Sequence, residues 1–568
     1  MDNITNISII LMNTTADESK LSHNELLKQA DPTLAGRIAS TLANPELDRF
    51  SEDDNQFLKF HGVYQQDDRD KRKSGKQFIF MVRGRLPGGV VTADHYLAFD
   101  RLAAQYANDT LRITSRQGFQ FHGVVKKTLG PLVKGIHEAM LTTLAACGDV
   151  MRNVMAPPTP STSPLVDQVQ VHARRLSGVL LPVTPAYHEI WVDGVQLDLG
   201  EKRKDFVDPL YGKTYLPRKF KIGFAIPPLN DVDIYANCLG FVAVAQGGKL
   251  LGYNILAGGG MGMSHGNAAT YPRLADEVGF CAPEHLETVA TAVLTIHRDF
   301  GDRANRKHAR LKYVIADRGV AWFREELERR IGFKLEPIKS FAFTRQGDLF
   351  GWHRQTDGRY FLGLFVEAGR ITDTGAYRLK SGLRAVVEKF RPEVRLTAAQ
   401  NLLLVDVRAE DRDALSASLA EYGIPVENQA SAVRKASMAC VSMPTCGLAL
   451  AESERALPDI LTRLENLLRE FALQDEEIVV RMTGCPNGCV RPYLAEIGLV
   501  GKAPNKYQIY LGGNASSTRM NRLYRDGVAT SALADELKPV VERFVKERRG
   551  AERFGDFCDR ILAANTRN

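Results

Sequence analysis

One stretch of this sequence nearly repeats another. Leu111–Val124 reads LRITSRQGFQFHGV and Val394–Val407 reads VRLTAAQNLLLVDV, so each carries Arg-x-Thr-x-x-Gln with apolar residues following. A helical pattern precedes each copy. Tyr96, Phe99, Leu102, Ala103 and Tyr106 form the first stripe; Leu379, Leu383, Val386, Val387 and Phe390 form the second. Both stripes keep the i, i+3, i+4, i+7 spacing of a helix lying on a sheet. Agreement in motif and in element order points to duplication, which restricts the fold to paired α+β halves.

A second pair of segments corresponds as well. Leu216–Gly260 and Val479–Gly513 each read as a strand, a turn-rich stretch, a second strand ending in a charged turn, and a third strand closing on glycines. Between them Leu457–Gln474 has the spacing of an amphipathic helix. The copies have diverged in their chemistry. Arg116 has Ala399 opposite it, and Arg83 has no basic counterpart near Phe365–Val366. The second half carries Cys485 and Cys489 where the first offers Lys219 and Lys221. One half keeps cations and the other thiols, the pattern expected of a single site at a pseudo-two-fold interface.

With 568 residues the chain is too long for one core. Apolar runs such as Ile9–Met12 and Phe78–Val82 fall far short of a bilayer span, and Ile9–Met12 lacks the flanks of a signal peptide. No membrane role is expected. Eight cysteines in such a length do not make a disulfide scaffold, and their clustering favours a reducing compartment, the cytoplasm. The net charge of +7 is scattered, so nucleic acid is not an expected partner. Asp67–Lys76, the densest charged stretch, reads as a solvated loop. A small anion is a better use of the positive charge.

Four cysteines cluster, as C-x5-C in Cys440 and Cys446 and as C-x3-C in Cys485 and Cys489, the latter around a Pro486–Asn487–Gly488 turn. Zinc prefers the shorter C-x2-4-C knuckle, and disulfides are unusual in a reducing compartment. An iron–sulfur cluster accepts four thiolates from loops of varied spacing. Spacing alone favours the cluster and leaves zinc and inert buried thiols open. Cys147, Cys238, Cys281 and Cys558 read as filler. Lys219 and Lys221, two apart, would point to one face of a strand.

The run ACVSMPTC followed by RMTGCPNGC resembles the siroheme and 4Fe–4S motif of the sulfite and nitrite reductase family. FMVRGRLPGG, RQGFQFHG, MRNVMAPP, YLPRKFK, AGGGMGMSHGN, LVGKAP and ERFGDF extend the resemblance over most of the chain. Val490 departs from it, standing where glycine is expected. The resemblance implies an α+β, pseudo-two-fold duplicated multi-domain fold with the cofactors at the domain junction. It implies an N-terminal arm over 1–75 and ferredoxin-like half-domains over 76–145 and 345–425. Two related α/β domains complete it, a siroheme and substrate domain over 146–344 and a 4Fe–4S and siroheme domain over 426–568.

The resemblance also implies roles. Cys440, Cys446, Cys485 and Cys489 would hold a 4Fe–4S cluster, with Cys489 also axial to siroheme iron. Arg83, Arg152, Lys219 and Lys221 would receive the anionic substrate. Arg112 and Arg116, expected on one face of one strand, and Arg310 would bind siroheme carboxylates. His122, Asn487 and Gly258–Gly260 would approach the macrocycle. The implied reaction is the six-electron reduction of sulfite to sulfide in sulfate assimilation and cysteine biosynthesis. AGGGMGMSHG fails Gly-x-Gly-x-x-Gly at His265, and YGKTY has Val207 where a P-loop needs glycine, so neither binds a nucleotide. If NADPH is the donor, a separate flavoprotein (FAD/FMN) alpha subunit must deliver its electrons within a hetero-oligomer. A ferredoxin-dependent sulfite reductase, a siroheme nitrite reductase and a zinc-stabilised binding protein are the alternatives.

Overall fold

Alternation along the strands decides the first layer of packing. Phe78, Phe80 and Val82 alternate along Phe78–Arg83, and Phe119 and Phe121 along Phe119–Val124. Phe80, Val82, Phe119 and Phe121 are fully buried in one core with residues of helices Ala93–Tyr106 and Lys126–Glu138. In this computed structural model residues 20–160, 164–187, 191–192, 195–196, 205–427 and 429–565 are described.

The first sheet runs in the order Val63–Asp67, Phe78–Arg83, Phe119–Val124, Leu111–Ile113, Arg370–Ile371. The second runs Gly351–Arg354, Tyr360–Leu364, Leu402–Val407, Glu393–Leu396, Val90–Val91. The two-residue edge strand of each sheet therefore comes from the other copy, with Arg370 opposite Arg112 and Val91 opposite Val394. The repeated glutamine of the motif now has a reason. Gln117 donates to Leu396 O at 3.0 Å and Gln400 to Ile113 O at 3.3 Å, each reaching across to the other copy. Both predicted helical stripes face the shared core, where their last residues, Tyr106 and Phe390, are half-buried. The two halves interlock around one core, which covers the sheet edges that separate halves would expose.

The other repeated unit also forms two matching sheets. Ile222–Ala225 runs parallel to Leu239–Gln246, which is followed by antiparallel Lys249–Ala257 and Asp276–Cys281. Val480–Thr483 runs parallel to Ile497–Ala503, followed by antiparallel Lys506–Leu511 and Arg522–Ala529. A further parallel strand, Ser437–Ala439, flanks Val480–Thr483. Its counterpart in the first copy is reduced to two bridges, Met151 to Phe220 and Met155 to Gly223.

Three expectations need correction. The first sheet begins at Val63, upstream of residue 76, because Val63–Asp67 pairs along its length with Phe78–Val82. The helix expected to reach Gln474 spans Leu457–Glu470, and Ala472 beyond it has φ 56°. Asp67–Lys76 is more than a solvated loop: Arg69 opens a 3-10 turn and donates to Cys446 O and Ala449 O, both at 2.7 Å. Among the described residues no helix is long and apolar enough to cross a membrane.

Candidate active site at the junction of the two copies

The face of the first sheet turned away from its core carries charge. Register sets Arg83 opposite Gln120, Gln120 opposite Arg112, and Arg112 opposite Arg370, one row across four strands. Like charges side by side on a buried face are costly unless anions compensate them. Glu454, from the cysteine-bearing half, compensates two. It accepts from Arg112 Nε at 2.8 Å and from Arg370 at 2.7 and 3.1 Å. Among the described residues Arg83 has no carboxylate: its guanidinium meets Ala146 O at 3.4 Å and the Cys147 sulfur at 3.1 Å. His122, on the same face, lies 3.3 Å from Arg370. Burial first, then Arg370, Arg112 and Arg83, hold its pKa well below the ordinary value.

Arg112 and Arg116 do not share a strand face as expected. The strand ends at Ile113, and Arg116 lies in the turn before Phe119 because Gln117 takes φ 53°. Arg112 also donates to Ala439 O at 2.8 Å, so Glu454 and a carbonyl occupy its guanidinium. Arg116 is a clamp. It donates to Asn237 Oδ1 at 2.9 Å, Asn153 O at 2.5 Å and Ile222 O at 3.1 Å. The last two acceptors directly follow Arg152 and Lys221 in the chain.

Lys219 and Lys221 flank Phe220, which is fully buried, just ahead of the strand that starts at Ile222. The extended chain turns both lysines away from the core, as their spacing predicts. Both are half-buried, and among the described residues neither amine has a hydrogen-bond or ion-pair partner. Burial, with Arg218, Arg310 and Arg152 near Lys219 and with Arg116, Lys219 and Arg310 near Lys221, depresses both amines well below the ordinary lysine value. Cys489 opposes that shift in both, which puts the thiol within electrostatic reach of the lysines. Arg152 is buried and, among the described residues, donates to Gly148 O alone, at 2.9 Å. Arg310 is buried against the Cys238 sulfur at 3.3 Å and Gly259 O at 3.4 Å.

The glycine run 258–260 has a steric reason. A Cβ at Gly259 would stand 2.1 Å from Tyr235 O, and one at Gly260 would stand 2.4 Å from the Arg310 guanidinium. The loop continues to the cysteine turn, where Met263 N donates to Pro486 O at 3.0 Å. Gly488 in that turn has φ 62°, and Asn487 donates to the Cys485 sulfur at 3.3 Å. Gly484 N points at the Cys440 sulfur at 3.4 Å. Burial, then the neighbouring thiols, pushes Cys440, Cys446 and Cys485 up. Cys440 and Cys485 are buried, Cys446 is half-buried, and Cys489 is exposed.

The donor set fits a cluster. The four thiols lie within electrostatic reach of one another, a donor set of the kind an iron–sulfur cluster takes from separate loops. The cations fit a polyanion such as siroheme. Among the described residues Arg83, Arg116 and Arg310 each bury an Nε without a partner, and none of the three has a carboxylate. Sequence reasoning passed over several neighbours. Arg218 stands beside Lys219 in the same motif; Cys147 and Cys238, read as filler, contact Arg83 and Arg310. No local pattern singles out Arg370, Glu454 or Asp233, which only the tertiary fold brings in.

Comparison with known proteins agrees with this geometry. The description "Nitrite/Sulfite reductase ferredoxin-like half domain" matches residues 71–139 and 353–422. "Nitrite and sulphite reductase 4Fe-4S domain" matches residues 173–335, in the lysine-bearing copy, so the clustered cysteines lie beyond that match. A Myxococcus xanthus protein named sulfite reductase (NADPH) hemoprotein beta-component is 50% identical, over 95% of this chain and 96% of its own length. The Bacillus subtilis protein of that name is 45% identical, over 97% of this chain and 98% of its own. The solved structure of the Mycobacterium tuberculosis NirA protein superposes with a TM-score of 0.78 at 26% identity, covering 95% and 96% of the two chains. Matched half-domains and likeness along nearly the whole length agree: the chain belongs to the nitrite and sulphite reductase family.

Proposed function

We propose that this chain reduces sulfite to sulfide at a siroheme coupled to a 4Fe–4S cluster, with electrons from NADPH delivered by a separate flavoprotein subunit. The setting is cytoplasmic sulfate assimilation toward cysteine. Arg83, Arg116 and Arg310, each burying an Nε without a partner among the described residues, together with a four-thiol set of which Cys489 is exposed, carry this reading. The name shared by full-length relatives supports the substrate and the donor.

Cys440, Cys446, Cys485 and Cys489 would hold the cluster, with Cys489 shared with siroheme iron and Asn487 steadying Cys485. When bound, the coupled centres supply electrons one at a time. Arg310 and Arg116, whose buried Nε atoms lack partners, would meet siroheme carboxylates. Arg112 would act through Glu454, and His122 would border the macrocycle as a neutral ring. Arg83, Arg152, Lys219 and Lys221 bind and orient the anion. Hydrogensulfite takes up six electrons and six protons, and its three oxygens leave as water. Amines depressed by burial and like charge give up protons more readily than an ordinary lysine, so Lys219 and Lys221 would serve as proton donors to the anion.

Hydride brings two electrons at once, so a flavin must stand between NADPH and iron. The purified holoprotein should reduce sulfite with a reduced viologen dye, fail with NADPH, and gain NADPH-driven sulfide production when the flavoprotein is added. NADPH oxidation by this chain alone on sulfite addition would sink the partner assignment. Turnover with reduced ferredoxin and with no flavoprotein would replace it by the ferredoxin-dependent reading.

A further inference from the structure

Arg491 sits where the two copies meet. Its guanidinium donates to Ser115 O at 2.9 Å and to Ala398 O at 3.1 Å. Residues 115 and 398 are equivalent positions in the two Arg-x-Thr-x-x-Gln turns. Its Nε pairs with Asp233, which Arg481 also holds at 2.8 and 3.1 Å. Asp233 and Arg491 are themselves equivalent. Each is left-handed, with φ 47° and 59°, and each precedes a 3-10 turn, Ile234–Ala236 or Pro492–Leu494. Arg481, Asp233 and Arg491 are all more than nine-tenths buried, so this knot is a fixed point shared by both copies.

Symmetry breaks at one hydroxyl. Ser115 Oγ donates to Cys489 O at 2.9 Å, and Ala398 has nothing to offer in its place. Of the four cysteines, Cys440 and Cys485 receive hydrogen bonds at sulfur, and Cys446 is held by Ser442 O and Arg69 through its main chain and by the Leu448 and Ala449 backbone at its thiol. Cys489 is exposed and follows a glycine with φ 62°, and among the described residues its sulfur receives no hydrogen bond. The Ser115 hydroxyl is the side-chain contact that ties its main chain to the knot.

We propose that Ser115 is a positioning residue that fixes the Cys489 main chain against the Arg491 knot, and so sets how Cys489 couples the two centres. The neighbouring Arg116 clamps the carbonyls of Asn153 and Ile222, next to Arg152 and Lys221. One turn thus holds the shared thiol and the anion-binding cations in a common frame. This rests on reading Cys489 as the shared ligand.

The test compares Ser115→Ala and Ser115→Thr holoproteins with the parent. In Ser115→Ala, iron, acid-labile sulfide and siroheme should stay at parental levels while the siroheme midpoint potential shifts. Dye-driven kcat should fall about five-fold with KM for sulfite unchanged, the size of one neutral hydrogen bond. Ser115→Thr keeps the hydroxyl and should restore both potential and kcat. Parental potential and kcat in Ser115→Ala would overturn the proposal, as would activity falling only in step with cofactor content. Full iron and siroheme in a Cys489→Ser variant would instead overturn the ligand assignment beneath it.

Discussion

Strands Ile222–Ala225 and Val480–Thr483 occupy equivalent places in the two copies. Each runs parallel to its neighbour and leads through a turn to a left-handed residue before a 3-10 turn. Around the first stand Lys219, Lys221 and Arg152; around the second stand Cys440, Cys485 and Cys489. Where the equivalent residues Asp233 and Arg491 touch, they pair. A symmetric scaffold can hold an asymmetric centre because its copies meet at an axis. Each side there is free to specialise while the backbone frame stays common. The specialisation costs differently on the two sides. Neutral thiols bury readily, whereas unpaired cations resist burial until an anion arrives, so ligand binding should stabilise the cationic side more.

The largest effect is expected on the thiol side. Cys489→Ser should abolish turnover and prevent assembly of the coupled centre, because a serine oxygen is a poor soft ligand for iron. Iron, acid-labile sulfide and the visible spectrum report it, and a variant with full activity and an unchanged spectrum would break the comparison. On the cation side, Lys219→Met or Arg83→Ser should lower sulfite turnover by about one to two decades with siroheme content largely kept. That is the size of a charged hydrogen bond felt in the transition state. Equal losses of cofactor and activity would recast these cations as structural.

The smallest effect concerns the core behind the lysines. His297 is fully buried, bonded to Ala309 O at 2.9 Å and stacked on Phe220 at 5.9 Å between ring centres. Burial holds its pKa down to about 4. An unfolded chain titrates near the ordinary value of 6.5 and so binds more protons between the two values. The stability from neutral His297 is therefore present above pH 6.5 and is lost as pH falls toward 4. From pH 7 to 5 the loss should be roughly 2 kcal/mol. His297→Phe should flatten that part of the stability profile in denaturant titrations; an unchanged acid slope would refute it.

Duplication, the helical stripes and the four clustered thiols were legible in the sequence because each is a local pattern with its own period or spacing. Lys219 and Lys221 were legible for the same reason, since two residues apart on an extended chain means one face. Arg112 and Arg116 misled because periodicity was carried past Ile113 into a turn that Gln117 closes with a positive φ. Exchange of the edge strands, the register row Arg83–Gln120–Arg112–Arg370, the capture of Arg112 by Glu454 and the Arg491 knot all join residues far apart in the chain. By itself the sequence determined which chemistry each copy carries. Only the tertiary structure decided which cations stay free for a ligand, because that depends on which carboxylates and carbonyls the packed copies bring within reach.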